Sequence, residues 1–343
     1  MSKQIKVCLI GSGRMAFWHL KGFRNLKNVK VVGIAGRTKA NVEKLQRKFK
    51  IASGYTDHKK MLAEQKPDAV DITTPTYTHA SLTIDSLQAG AHVLCEKPLA
   101  MTLAEADMMI AAEKRSGKIL MPGFSQRFYK EFIKIKKIID NGELGTIRTA
   151  WFRKGINMPP QKWYSEKDKS PGVTFELAIH AIDWLRWIIP SPVEHISAEM
   201  TYNKPTAGID NNLWMTLKFK SGAIGVVGAS YAFPFLKRDI GVIGDKKALT
   251  VERSTVITEQ YGTHSLAKML ANYIRYNLII PFGIFYNPFE NELREFVSCI
   301  RSGTTPSITS EDGRTSLEIA CAAYESARKG ETIHLTGKTH SQH

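Results

Sequence analysis

Through the first third of the chain, solid apolar runs alternate with segments whose apolar residues recur every three or four positions. Residues 5–10, 30–35, 69–73, 92–95 and 119–121 are runs of strand length, and a short strand fits near Gly54. Between them, 15–26, 40–49, 57–65 and 79–88 carry helical spacing. Thr102-x-x-Glu105 is a capping box that opens a further helix ending near Gly117. Strand and helix in alternation predict a parallel, right-handed, doubly wound sheet. Ligands of such sheets sit beyond the C-terminal ends of the strands.

From about residue 146 the period falls to two. Segments 146–153 and 195–202 read as strands. Leu213, Met215, Leu217 and Phe219 alternate with their neighbours, and Ser221-Gly222 turns the chain back into 223–227, a hairpin with one buried face. Segments 240–243, 248–252 and 255–259 continue the strands. One helix, 175–189, interrupts this mostly antiparallel open sheet, and two more, near 292–301 and 311–329, follow it. Residues 261–291 are irregular and aromatic-rich, suited to a flap or contact surface. The pattern divides the chain into an α/β unit at 1–124 and an α+β unit at 125–343.

The first strand runs straight into Gly11-Ser12-Gly13-Arg14-Met15-Ala16, a G-x-G-x-x-A turn before a helix. Gly11 permits the tight turn, Gly13 lets a pyrophosphate approach the backbone, and Ala16 lets the helix pack close. The helix N-terminus offers free N–H groups to phosphate. This predicts a dinucleotide-binding domain of Rossmann type. The acidic residue that would bind a ribose at the end of the second strand is missing. Its place falls at Gly36, and Arg37, Thr38 and Lys39 follow. With no carboxylate to repel a 2′-phosphate and a planar guanidinium to hold one, the sequence favours NADP over NAD.

Composition narrows the picture. There are 48 Lys and Arg against 32 Asp and Glu, a net charge of +16. The basic residues are spread over amphipathic segments such as 39–50 and 130–137. They read as solvated faces and as a field that attracts a phosphorylated cofactor or substrate, with no nucleic-acid signature. Cys8, Cys95, Cys299 and Cys321 form no C-x-x-C pair, so reduced thiols are expected and no metal site. No signal pattern opens the chain, and no apolar run approaches the ~20 residues a membrane span needs. The expectation is a soluble cytoplasmic protein.

Two stretches carry chemistry. Segment 175–189, FELAIHAIDWLRWII, is apolar nearly all round except for Glu176, His180, Asp183 and Arg186, which fall on one stripe at helical spacing. Buried ionisable groups need partners, so the stripe lines a cavity or forms a network. A histidine one turn from a carboxylate suits proton acceptance. Asp183 and Arg186 suit an internal salt-bridge network equally well. The second stretch is Cys95-Glu96-Lys97-Pro98, at the C-terminal end of a predicted strand. Pro98 holds Lys97 out of helical geometry, and an ammonium there can stabilise a developing alkoxide.

The glycine turn, Glu96-Lys97-Pro98 and Gly172-x-x-x-Glu176-x-x-x-His180-x-x-Asp183 together resemble the glucose–fructose oxidoreductase / inositol dehydrogenase (Gfo/Idh/MocA) family. Thr74-Pro75 with His79, Gly123-Phe124-x-x-Arg127-Phe128 and Glu311-Asp312-Gly313 extend the resemblance over nearly the whole chain. It implies a nicotinamide-dependent oxidoreductase acting on a sugar, sugar nucleotide or cyclitol, with Lys97 and His180 catalytic. It further implies that Glu176 orients His180 or meets the substrate, and that Lys97, Glu176, His180 and Asp183 face the substrate. The implied cofactor contacts are Gly11, Gly13, Arg14, Met15, Ala16, Arg37, Thr38, Thr74, Pro75, His79, Glu96, Lys97 and Arg127. A homodimer or homotetramer through the open face of the second sheet is implied as well. The family usually has Asp at Glu176 and often Gly at Ala178. Two alternatives stand beside this reading. One is a glycosidase of the same fold that uses bound NAD transiently. The other is a cofactor-sensing regulator, against which the intact Lys97 and His180 argue.

Overall fold

The computed structural model describes residues 4–159, 162–166, 169–202, 208–252, 255–260 and 288–335. Six strands form the first sheet: β1 (Ile5–Ile10), β2 (Val29–Ala35), β3 (Ser53–Tyr55), β4 (Ala69–Ile72), β5 (His92–Glu96) and β6 (Leu120–Gly123). Their order is β3-β2-β1-β4-β5-β6 and every ladder is parallel. Helices α1 (Arg14–Phe23), α2 (Lys39–Phe49), α3 (His58–Gln65), α4 (His79–Gln88) and α5 (Leu103–Ser116) connect them. At the start of α5, Thr102 and Glu105 cap each other's backbone N–H groups, and Gly117 closes the helix in the left-handed region. The strand order reverses between β1 and β4, which opens a crevice at their C-terminal ends.

The chain then forms α6 (Lys130–Asp140), the amphipathic segment around 130–137, which buries Phe132 and Ile135. The second sheet holds β7 (Ile147–Asn157), β8 (Val193–Thr201), β9 (Asn212–Phe219), β10 (Ile224–Ser230), β11 (Ala232–Gly244), β12 (Lys247–Glu252), β13 (Thr255–Gln260) and β14 (Ile333–His334). Its order is β13-β12-β11-β7-β10-β9-β8-β14. Only β7 and β10 run parallel among the described pairs, so the sheet is mixed and mostly antiparallel. Along β9, Leu213, Met215, Leu217 and Phe219 point inward while Trp214 stands 54% exposed on the open face.

The inner face is covered by α7 (Ile179–Ile188) and α9 (Ser310–Lys329). Trp184 of α7 is fully buried against Phe132 and Phe152, with ring centroids 5.3 and 5.6 Å away. Segment 175–189 is not one regular helix. Thr174–Ala178 forms a π-helical turn that leads into α7. Residues 288–291, expected to be irregular, are the first turn of α8 (Pro288–Ser302), and 261–287 lie outside the described residues. Both C-terminal helices return to the first domain. Asn25 donates to Glu290 of α8 at 2.8 Å, and Arg314 of α9 pairs with Asp107 of α5. Among the described residues no helix is long and apolar enough to cross a membrane, and no group of side chains is arranged to hold a metal ion.

Candidate active site in the interdomain cleft

A cleft of about 890 Å³ runs from the C-terminal ends of β1, β2, β4 and β5 to the π-helical turn and β7. One end is built by the glycine turn. Gly11 has φ +126°, and a Cβ there would stand 2.4 Å from Thr73 Oγ1, so only glycine lets β1 pass this close to β4. Gly13 has open space where its Cβ would be, and it precedes α1 with no side chain capping the helix. The free N–H groups of the first turn therefore face the cleft, as a pyrophosphate requires. Arg14, Met15, Gly36, Arg37, Thr38, Thr74 and Pro75 line the same end. Thr38 is the N-cap of α2 and its hydroxyl makes no capping hydrogen bond. This donor set fits a dinucleotide. Ala16 lies underneath, fully buried, where it lets α1 pack on the sheet.

At the other end Lys97, Glu176 and His180 meet. Lys97 precedes a cis peptide to Pro98. Its ammonium donates to the Glu176 carbonyl oxygen at 2.9 Å and to Glu176 Oε2 at 3.4 Å. Thr76 donates its hydroxyl proton to Glu176 Oε1 at 3.3 Å. Glu176 thus reaches across to the first domain and does not lean on His180. The expectation that it orients the imidazole is corrected by the π-helical turn, which takes the two residues off the regular i, i+4 alignment. His180 lines the cleft, and its Nδ1 is buried without a hydrogen-bond partner among the described residues. Burial, then the positive charges of Lys97 and Lys154, hold its pKa well below 6.5, so the ring is neutral and able to accept a proton.

Besides Ala16, three expected contacts lie away from the cleft. Arg127 and Asp183 do not line the cleft. They form a buried bidentate pair, with Arg127 Nε and Nη2 donating to the Asp183 carboxylate at 2.9 and 2.5 Å. Arg127 also reaches the Ser307 carbonyl oxygen and Asp312, which in turn pairs with Arg186. The salt-bridge reading of Asp183 and Arg186 fits this arrangement, and the substrate-facing reading of Asp183 and the cofactor-facing reading of Arg127 do not. His79 is buried beneath the cleft, its ring nitrogens 2.8 Å from the Pro98 carbonyl oxygen and 2.9 Å from that of Thr74. It buckles the two loops together and is screened from any ligand. Glu96 borders the cleft and belongs to a second buried group. His19 donates to Asp71 at 2.9 Å and to Glu96 at 3.1 Å.

The family model described as "Oxidoreductase family, NAD-binding Rossmann fold" matches residues 5–124, and the "GFO/IDH/MocA C-terminal domain" matches residues 132–250. The chain belongs to the Gfo/Idh/MocA oxidoreductase family. It is 27% identical to a myo-inositol 2-dehydrogenase of Thermotoga maritima over 96% of this chain and 98% of that one. It is 29% identical to a scyllo-inositol 2-dehydrogenase (NAD(+)) of Bacillus subtilis over 98% of both chains. The crystal structure of a probable dehydrogenase from Thermotoga maritima superposes with a TM-score of 0.81 at 25% identity, covering 96% of this chain and 98% of that one.

This Gfo/Idh/MocA oxidoreductase also places residues in the cleft that its sequence had not singled out: Gln126, Tyr129, Lys154, Trp163, Tyr164 and Tyr231. For Lys154 there was a signal. The alternation in β7 puts it on the face of Ala150 and Phe152, both fully buried, and a lysine on the buried face of a strand is an anomaly. The others come from short 3-10 turns and connections that carry no periodic pattern.

Proposed function

We propose that this protein transfers hydride between a nicotinamide cofactor and a secondary alcohol or ketone of a sugar, sugar nucleotide or cyclitol. The observation that carries the reading is the meeting of Lys97 and His180, from different domains, in the cleft that also holds the glycine turn. The nicotinamide, when bound, takes up or returns the hydride. The chain's own residues do the rest. Neutral His180 takes the hydroxyl proton during oxidation, and the Lys97 ammonium holds the oxygen as negative charge grows on it. Glu176 and Thr76 fix where that ammonium stands. Polyhydroxy substrates suit the polar lining, and the relatives named as inositol dehydrogenases act on such compounds. A panel of sugars, sugar nucleotides and cyclitols, read by absorbance of the reduced nicotinamide, tests the reading. No turnover with either cofactor would sink it.

Within that reading the preferred cofactor is NADP. No carboxylate stands at the tip of β2, and Arg37 and the Thr38 hydroxyl line the cleft there with the free end of α2 behind them. The relative named for NAD(+) makes this a departure. Arg37→Ala is the clean test, because a Cβ at Gly36 would stand 2.7 Å from Ser12 Oγ and confound Gly36→Asp. NADPH should lose about 10-fold or more in kcat/KM relative to NADH, the worth of a charge-assisted contact. Preference for NADH in the wild type would refute it. The same proposal takes the open face around Trp214 as the surface of a homodimer or homotetramer, which Trp214→Glu should dissociate in sedimentation. Four free cysteines suit the reducing cytoplasm.

A further inference from the structure

The cleft carries more positive charge than its own residues balance. Arg14, Arg37, Lys97 and Lys154 line it, against the carboxylates of Glu96 and Glu176. Both carboxylates are already engaged, Glu96 by His19 and Glu176 by Lys97. Arg14 and Arg37 stand at the glycine turn and the tip of β2, where the phosphates of a dinucleotide account for them. Lys154 stands at the opposite end, close enough to Lys97 and His180 for its charge to act on the imidazole. Its ammonium has no hydrogen-bond or ion-pair partner among the described residues. Arg238, its neighbour across the β7–β11 ladder, is paired with Glu131 of α6.

We propose that Lys154 recognises an anionic substituent, a carboxylate or a phosphate, on the polyhydroxy substrate, so that the substrate is an acidic sugar or cyclitol derivative and not a neutral polyol. The proposal rests on the oxidoreductase reading and names the substrate class of the same cleft. An unpaired lysine set into the inner face of a sheet costs stability in the free protein. Burial, then Lys97, Arg238 and Arg14, push its pKa down to about 7. A bound anion offsets the repulsion from those three cations and favours the charged ammonium, which makes an anion the complement of this position in a way that a hydroxyl group is not. The stacked Trp163 and Tyr164, with ring centroids 3.8 Å apart, border the same cleft and give a flat apolar wall for a sugar ring beside the charge.

The test compares D-glucose, D-glucuronate and D-glucose 6-phosphate with NADP and with NAD, in the wild type, Lys154→Met and Lys154→Arg. The two acids separate carboxylate from phosphate. We expect one acid to exceed glucose in kcat/KM in the wild type. Lys154→Met should shrink that acid-over-neutral ratio about 10- to 100-fold, chiefly through KM, the range for a hydrogen bond to a charged group. Lys154→Arg should keep most of it. Thermal melting without ligand controls for folding, and Lys154→Met should melt no lower than the wild type. An unchanged ratio in Lys154→Met, or glucose preferred by the wild type, overturns the proposal. Calorimetric binding of glucuronate and glucose 6-phosphate separates the two readings. If nothing turns over, the oxidoreductase reading fails. Acid binding that Lys154→Met abolishes would then still support the anion site, and acid binding that is absent or equal in both proteins would overturn it.

Discussion

Glu176 illustrates what single residues can and cannot reveal. Its carboxylate is tied to Lys97 and Thr76, so its influence on catalysis runs through the ammonium and not through the imidazole. Lys97→Ala and His180→Ala should each lower kcat by ~10²–10⁴-fold, the usual worth of a proton-transfer or charge-stabilising group. Glu176→Gln should be non-additive with Lys97→Ala and nearly additive with His180→Ala in a double-mutant cycle. The reverse pattern would return Glu176 to the histidine. Protonated His180 cannot accept a proton, and its pKa stands well below 6.5. The acid limb of kcat/KM for alcohol oxidation therefore lies below pH 6.5 and should disappear in His180→Ala. The sequence pointed to Lys97 and His180 through their surroundings: a strand end closed by proline, and polar exceptions in an apolar helix. It misdirected Glu176 because i, i+4 spacing means adjacency only in a regular α-helix.

The element that decides this geometry is the π-helical turn Thr174–Ala178. It is entered through Gly172, whose φ is +110°, and a Cβ there would stand 1.7 Å from Asp210 Oδ1. Asp210 in turn accepts from the Thr174 backbone N–H at 2.9 Å and from its hydroxyl at 2.6 Å. Gly172→Ala should destabilise the protein by more than ~1 kcal/mol, since the backbone conformation and the space are both wrong for a side chain. It should also lower kcat by moving Glu176 and its hold on Lys97. A melting temperature within a degree of wild type would contradict this. The strands and helices of the first sheet were legible because capping box, glycine stop and period agree along 100 residues of chain. A π-helical turn leaves no such mark, because its extra residue per turn alters the angle of the apolar face and not its composition.

Across the whole molecule, buried charge joins distant parts. Arg127 leaves the first domain and clasps Asp183 on α7 and Asp312 on α9. Asp183→Ala should cost ~3–5 kcal/mol by stranding that guanidinium, with cofactor affinity of the folded fraction unchanged. A cofactor-binding defect without loss of stability would restore the functional reading of the pair. Stability should also fall on the alkaline side. Burial opposes charge on His19, but Asp71 and Glu96 outweigh it and hold its pKa well above 6.5. Its contribution is thus complete below pH 6.5 and is lost as pH climbs through the raised value. Glu292 on α8 works in the same sense. Burial, then Glu96, hold its pKa well above 4.5, so folding favours its protonated form and weakens as pH rises above 4.5. Glu292→Gln should flatten the decline in melting temperature that begins as pH rises above 4.5. No sequence pattern could have shown these networks, because their members lie up to hundreds of residues apart. The docking of α8 and α9 onto α1 and α5 has a further consequence, in time. The ribosome makes the nucleotide-binding half first, yet Leu293 and Phe296, which share its apolar core, emerge about 170 residues later. At cellular elongation rates of about 5–20 residues per second that interval is roughly 9 to 34 seconds. For that long the nascent first domain carries an apolar face that stays uncovered until its own last helices arrive.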